Sequence, residues 1–194
     1  MSQIRQLDKQ EMLIIRELIK DPRISDNQIG KNTKVPIRTV NRKRKKLEEE
    51  GIISYFVNVN MGLTGTGRFG ARHLHIIKFK LGIPKSRIVK EVLEEKNVKE
   101  HFSEFIYESH IAEVDGHVAL VIILEGKTDD DIMENFNKIL VPSLKKNHGQ
   151  NSIVEIKTIR LSDPIRMFHN YIPMLNMENG KIKKDWRDEL IFIG

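Results

Sequence analysis

Between Pro36 and Gly51 the chain can hardly be anything but a helix with two unlike sides. The stretch reads P-I-R-T-V-N-R-K-R-K-K-L, then Glu48-Glu49-Glu50-Gly51. Proline suits a first helical turn, where its missing N–H would be unpaired anyway. Glycine suits the residue just past the end, where a left-handed backbone stops the helix. At about 100° per residue, Val40 and Leu47 fall on one line flanked by Ile37, while Arg38, Asn41, Arg42 and Lys45 point the other way. Thr39 and Lys46 lie at the edge of that outer face. Arg44 falls near the seam, so its stem is expected along the core with the guanidinium escaping to solvent. A charge run is ordinarily a solvated surface. Here six of the nine residues from Arg38 to Lys46 are basic and none is acidic, and a narrow apolar seam anchors them. Such a helix offers forked and point-charge donors to phosphates and base edges. Arg38, Thr39, Asn41 and Arg42 are the candidates for reading bases, and Lys43, Lys45 and Lys46 for holding phosphates.

The preceding residues supply the rest of a helix-turn-helix. Asp8 and Glu11 form a capping box opening a helix to about Lys20, with Met12, Ile15, Leu18 and Ile19 at helical spacing and Ile14 on the flank. Asp21-Pro22 ends it. Ser25 and Gln28 form a second capping pair for a short helix to about Asn32, and Thr33-Lys34-Val35 turns the chain into the basic helix. Ser25, at that helix start, is a further candidate phosphate contact. After Gly51, alternation of Ile53, Tyr55, Val57 and Val59 predicts a strand.

Charge agrees with this division. Residues 1–60 hold 13 Lys/Arg against 8 Asp/Glu, so nearly all of the net +6 lies in the first third of the chain. Excess placed this way fits a polyanionic partner for that part alone. The basic helix lacks the broad aromatic-bearing apolar face of an interfacial helix, so double-stranded DNA is expected rather than a membrane. With no cysteine, disulfides and cysteine-bearing metal sites are excluded. The longest apolar run, Val118–Leu124, is too short to span a bilayer. M-S-Q-I-R-Q-L-D has no apolar signal core, so a cytoplasmic location is expected.

The remainder has a different grammar. G-T-G-R-F-G, Gly65–Gly70, satisfies a nucleotide-binding pattern, but that pattern needs a helix to follow and His73–Leu81 is strand-like. Residues 60–72 therefore read as a glycine-rich hinge. Then come a strand (His73–Leu81), a helix (Pro84–Lys96, with Ile88, Val89, Val92 and Leu93 inward) and a hairpin, Phe102–Val114 and His117–Leu124 about Asp115-Gly116. A helix (Asp129–Leu140, using Ile132, Phe136, Ile139 and Leu140) and a last strand (Ile153–Leu161) complete β-α-β-β-α-β, a ferredoxin-like order. The fold class is thus α+β, with a helix-turn-helix domain (1–59), the hinge (60–72), a ferredoxin-like domain (73–162), to which the family resemblance given below assigns effector binding and assembly, and an extension (163–194). The extension holds Phe168, Tyr171, Trp186 and Phe192, too many large apolar groups for a disordered tail; it is expected to pack on its own domain or on a neighbouring subunit. His73 and His75 share a strand face near His101, His110 and His117, yet scattered sheet histidines are ordinarily packing, so no metal is expected. Asp129-Asp130-Asp131 suits a helix N-terminus. Glu48-Glu49-Glu50 would keep the basic helix's far end away from phosphates. No catalytic constellation or cofactor site is expected.

L-D-K-Q-E-M-L-I-I-R-E-L, D-P-R-I-S and L-E-E-E-G-I-I-S-Y, over Leu7–Tyr55, resemble the amino-terminal domain of the Lrp/AsnC family, the leucine- and asparagine-responsive regulators. Arg44 departs from the family's usual apolar residue. The resemblance continues more weakly to about Leu161, where Thr158 matches a threonine common near the family's last strand. It implies a sequence-specific DNA-binding regulator working as a homodimer or larger homo-oligomer, with a small-molecule effector. Family members that bind amino acids resemble V-x-G-x-x-D in the hairpin, whose carboxylate holds the ligand ammonium. Here Val114, Gly116 and His117 stand in V-D-G-H-V-A, and Ala119 takes the acid's place. An alanine cannot pair with a desolvated ammonium, so this site is expected to take something other than an amino acid, or nothing. The two-domain plan is also similar to that of the sirohaem decarboxylases, an enzyme alternative, but their arginine-rich segment after the E-E-G turn is I-I-S-Y-F-V here; a second alternative is a purely architectural or small-molecule-binding module whose DNA contact is nonspecific.

Overall fold

A computed structural model of the chain describes residues 5–94 and 104–194, with backbone alone for 92–94. Two compact units emerge: residues 1–57 together with 163–194, and residues 58–162.

In the first unit α1 (Lys9–Lys20), α2 (Asp26–Thr33) and α3 (Ile37–Glu49) are the three expected helices. The capping box forms in full: the Asp8 carboxylate accepts from the N–H of Gln10 and of Glu11, both at 2.9 Å, and Glu11 accepts from the Asp8 N–H at 3.0 Å. The Ser25 hydroxyl accepts from the Gln28 N–H at 3.2 Å, while the Gln28 amide turns to Asn32. α3 ends in a Schellman motif, with the Ile52 N–H on the Leu47 carbonyl at 2.9 Å, the Gly51 N–H on Glu48 at 3.0 Å, and Gly51 at φ +68°. Gly30, within α2, lets the chain after the helix pass close, since a Cβ there would stand 3.1 Å from the Val35 carbonyl oxygen and 3.2 Å from Ile37 Cγ1. Ile14, Leu18, Ile29, Val35 and Val40 form the core.

The strand expected from Ile53 to Val59 is absent. Extended backbone needs a neighbour for its N–H and C=O groups, and among the described residues no strand pairs with this run; Phe56 and Val57 stand 90% and 91% exposed.

The extension returns to the first helix. Tyr171 Oη donates to the Ile19 carbonyl at 3.1 Å, Lys181 Nζ meets Asp21 at 2.5 Å, and Lys20 Nζ meets Asp188 at 2.8 Å. α7 (Pro173–Asn176) leads into a two-stranded hairpin, β5 (Met177–Glu178) and β6 (Lys181–Ile182), and β6 packs on α1. Ile182 and Ile191 are buried, and the buried Asn176 side chain accepts from the Ile172 N–H and donates to the Asn170 carbonyl.

The second unit is the expected ferredoxin-like β-α-β-β-α-β. Strands β1 (Ala71–Phe79), β2 (Ile106–Val114), β3 (His117–Gly126) and β4 (Ile153–Leu161) form an antiparallel sheet in the order β2-β3-β1-β4. β1 begins and ends two residues earlier than expected, leaving Leu81 in a turn, 68% exposed. Helices α4 (Lys85–Glu94), α5 (Asp129–Asn135) and α6 (Val141–His148) meet one face of the sheet, where Ile77, Phe79, Leu120, Ile122 and Leu124 pack with Ile88, Ile132, Phe136 and Leu140. Val89 and Ile139, expected inward, are exposed instead. The inward placing of Val92 and Leu93, the helix end at Lys96 and the strand start at Phe102 lie outside what is described. α5 does not stop at Leu140. A π-turn, Phe136–Leu140, carries it into α6 with the Val141 N–H on the Phe136 carbonyl. Pro142 lacks an N–H for the Lys138 carbonyl and would crowd it, and the wider turn makes room. The glycine-rich stretch is a folded loop of this unit, closed by Thr66 N–H to the Asn60 carbonyl, Phe69 N–H to Met61 and Gly70 N–H to Gly126. Among the described residues no helix is long and apolar enough to cross a membrane.

Because Ile191 is buried in the first unit, Ile191→Ala should cost about 2–4 kcal/mol of that unit's stability. Chemical denaturation followed by the fluorescence of the single tryptophan, Trp186, checks this; an unmoved midpoint would mean the extension is not part of the unit's core.

Candidate nucleic-acid interface

The seam of α3 decides what its other side presents. Val40 and Leu47 are fully buried, which turns Arg38, Asn41, Arg42, Lys45 and Lys46 outward. Thr39 is half-buried at the edge. Among the described residues neither Arg38 nor Arg42 is held in an ion pair. Both guanidinium forks are therefore available to an external acceptor. Lys45 and Lys46 face Glu49 and Glu50 one turn on, each at 3.7 Å, in exposed pairs that a phosphate can displace at little cost.

Two basic residues are not where the helical wheel suggested. Lys43, expected at a phosphate, points into the unit with its side chain only 11% exposed. Its ammonium is hydrogen-bonded to Asp8 and lies 3.9 Å from Glu11. The pairing holds the Asp8 carboxyl below the usual carboxylate range. Lys43 thus joins Val40 and Leu47 in the seam, and its charge is used up on the cap of α1. Arg44 does not escape to solvent either. Its guanidinium donates to the Ile24 carbonyl at 3.2 Å, Asp26 at 3.1 Å, Glu48 at 3.2 Å and the Tyr55 hydroxyl at 3.1 Å. Asp26 also accepts from Asn41 Nδ2 at 2.9 Å, so Asn41, though exposed, is committed to α2. Asp26 and Tyr55 were missed in the sequence: an acid at a helix start and a tyrosine in an alternating run already have ordinary explanations. Ser25 is exposed at the start of α2, beside Asp26.

The net effect is a gradient along α3. Acids at its C-terminal end occupy Arg44, Lys45 and Lys46, and Arg5 joins them by bonding Glu50 at 2.6 Å. Free positive charge is concentrated at Arg38 and Arg42 in the first two turns, away from Glu48-Glu49-Glu50.

In the second unit the hairpin residues share one sheet face. Val114 opposes His117 and Ala112 opposes Ala119 across β2 and β3. Gly116 has φ +76° in the turn, the His117 Nδ1 donates to the Phe79 carbonyl at 2.8 Å, and Ala119 is fully buried. The residue opposite Ala119 on β1 is Lys78, whose ammonium lies 2.7 Å from both Asp115 and Glu155. Those two acids raise the Lys78 pKa and neutralise it. On the other face His75 is fully buried, stacked on Phe136 at 3.9 Å with Nδ1 3.0 Å from Thr158 Oγ1, and burial pushes its pKa down to about 4. His73 Nε2 lies 2.7 Å from Asp129. Among the described residues no three metal-binding side chains converge; His101 lies outside them.

Residues 7–54 match the model of the winged helix-turn-helix DNA-binding family. No curated protein matches the chain in sequence. Among solved structures, the chain is similar to a transcriptional regulator from Neisseria meningitidis in complex with L-Met, at 10% identity and a TM-score of 0.60, over 84% of this chain and 94% of that one. It is similar to LrpC of B. subtilis at 18% identity and a TM-score of 0.59, over 84% and 99%. A transcriptional regulatory protein of Pyrococcus furiosus, a member of the AsnC family, aligns at 15% identity and a TM-score of 0.57, over 82% and 92%. At these identities the likeness is one of fold, and it spans nearly all of each relative.

Lys43→Ala should lower the stability of the first unit by about 1 kcal/mol while leaving the salt dependence of DNA binding unchanged; a flattened salt dependence would put its ammonium on phosphate instead. His75 should make the second unit acid-sensitive. Its folded pKa lies below the unfolded value, so its contribution is whole above about pH 6.5 and fades as pH falls towards 4. Urea midpoints across that window should slope in the wild type and flatten in His75→Gln; parallel slopes would exclude His75 as the cause.

Proposed function

We propose that this chain is a transcriptional regulator of the Lrp/AsnC type, which reads operator DNA with α3 and pairs copies of itself through its second unit. The observation that carries the proposal is the unpaired, outward Arg38–Arg42 face on a helix whose opposite side is fully buried. A family match over residues 7–54 supports the same reading. α3 lies in the major groove, where Arg38, Thr39 and Arg42 contact base edges, and an arginine fork matches the two acceptors of guanine. Asn41 reads bases only by leaving Asp26, so it contributes less discrimination than the arginines. Lys45, Lys46 and the α2 N-terminus at Ser25 grip phosphates and set register.

The second unit supplies the pairing surface. Leu74 and Ile76 of β1 lie beside Val121 and Ile123 of β3 and Ile159 of β4 on the sheet face away from the helices, and none of these residues belongs to the core cluster. An apolar sheet face of this kind suits a second copy, and a two-fold pair would set two recognition helices one helical turn of DNA apart or a multiple of it. The Neisseria relative is a complex with L-Met. In this chain Ala119 offers no carboxylate to an ammonium and Lys78 is already neutralised, so a free amino acid is not the effector this hairpin favours.

Selection of bound sequences from random DNA, run with the full chain, tests the reading; a two-fold-symmetric consensus supports it, and recovery of unenriched DNA would defeat it. Arg42→Ala should reduce discrimination between that consensus and random DNA by about 10-fold or more, from ~1–3 kcal/mol per bidentate contact. Lys45→Ala should weaken both alike and make the slope of log K against log salt shallower by about 0.9. Equal loss of discrimination in both variants would argue against base reading by Arg42.

A further inference from the structure

The helix-turn-helix unit of this chain has no hairpin after its recognition helix, because residues 52–70 contain no strand. It has one from the far end of the sequence instead. We propose that the C-terminal hairpin and the turn after it, Met177–Arg187, form a second DNA-contacting element of this unit, with Lys184 and Arg187 neutralising backbone phosphates beside the groove that α3 occupies. This inference rests on the regulator reading above and extends its footprint.

The hairpin is built as a rigid projection. Asn179 and Gly180 both have left-handed backbones, φ +49° and +75°, the two-residue turn that matches strand twist. Its base is fastened to α1 and the turn after it through Lys181–Asp21, Lys20–Asp188 and the buried Ile182. The next residues read K-I-K-K-D-W-R, four bases against one acid. Two of the bases are spent inside the unit: Lys181 on Asp21, and Lys183, whose Nζ donates to the Leu175 carbonyl at 2.8 Å. Lys184 and Arg187 are exposed, and among the described residues no ion pair engages either. Trp186, half-buried between them, donates its backbone N–H to the Lys183 carbonyl at 3.1 Å. Anchoring the backbone of this segment limits the freedom lost on meeting a phosphate to that of the two side chains.

Position points the same way. Asp21, which Lys181 grips, lies five residues before Asp26, and Asp26 is bonded to Asn41 and Arg44 of α3. The turn between is tight, with the Arg23 N–H on the Asp21 carboxylate at 3.0 Å and the Ile24 N–H on its carbonyl at 3.1 Å. Five residues span at most about 17 Å even when extended. The end of α1 to which Lys181 is tied therefore lies within that distance of the start of α2, where Asp26 holds Asn41 and Arg44 of α3. Bracing α1 explains why Ile182 and Ile191 are buried. It gives no reason for two unpaired cations on the solvent side of the same segment.

The experiment titrates full-length protein with a mixed-sequence 30-base-pair duplex over a range of salt, reading anisotropy of the DNA and emission of Trp186. In the wild type Trp186 emission should change on binding. Lys184→Gln/Arg187→Gln should make the slope of log K against log salt shallower by about 1.8, from ~0.9 per phosphate contact, with unchanged thermal unfolding. Lys184→Arg should restore the wild-type slope at that position, and Lys184→Gln alone should lose about half. If the double variant binds with the wild-type slope and affinity, the hairpin contact is wrong while the regulator reading stands. If the wild type shows no salt-dependent affinity for any duplex, both fall together.

Discussion

Everything proposed for the first unit depends on the burial of Val40 and Leu47. Successive side chains on a helix step round by about 100°, so fixing these two residues fixes the direction of every other residue on α3. Each buried aliphatic side chain contributes roughly 1.5–3 kcal/mol. That is enough to hold a helix whose remaining surface repels itself, provided some of the charge is neutralised. Lys43 is one of the residues through which that is done. By turning inward to Asp8 and Glu11 it removes one positive charge from the run and ties the middle of α3 to the first turn of α1.

The acids of Glu48-Glu49-Glu50 complete the sorting. They sit at the helix end where the macrodipole disfavours them, and each has a basic partner one turn back: Arg44, Lys45 and Lys46. The cost of that placement is offset locally, and the consequence is functional. A helix that was basic along its full length would grip any polyanion in several registers. One whose second half is neutralised and whose first half is not has a preferred end to present, and that end carries the two arginine forks able to tell bases apart.

Local signals in the sequence were legible because they are local in the chain. The Asp8–Glu11 box, the Ser25 cap, Gly51 and the Asp115-Gly116 turn each involve residues within about four positions, and the residue pattern marked out four strands in chain order, the last of them residue for residue. What could not be read depends on partners far away. Lys43 and Arg44 lie on either side of the seam, and only the positions of Asp8, 35 residues back, and Asp26, 18 back, decide which one is drawn in and how the other is tied. Ile53–Val59 has the alternation of a strand, but alternation does not provide a neighbour. The run from α5 into α6 was not legible for a third reason: a proline inside a helix ordinarily breaks it, and the π-turn that accommodates Pro142 has no signature of its own.

The extension was the least legible part, and it changes what counts as the helix-turn-helix unit. α1 is apolar on two sides. Ile14 and Leu18 enter the three-helix core, whereas Ile15 and Ile19 lie about 100° round from them. In an isolated three-helix unit that second side would face water. Here Ile15 is 8% exposed, β6 lies along α1, and Tyr171 takes the Ile19 carbonyl, one of the four that the end of a helix leaves without an intrahelical partner. The residues that match the family model therefore leave out part of what covers α1, and the segment 181–187 belongs to the same compact unit as α3.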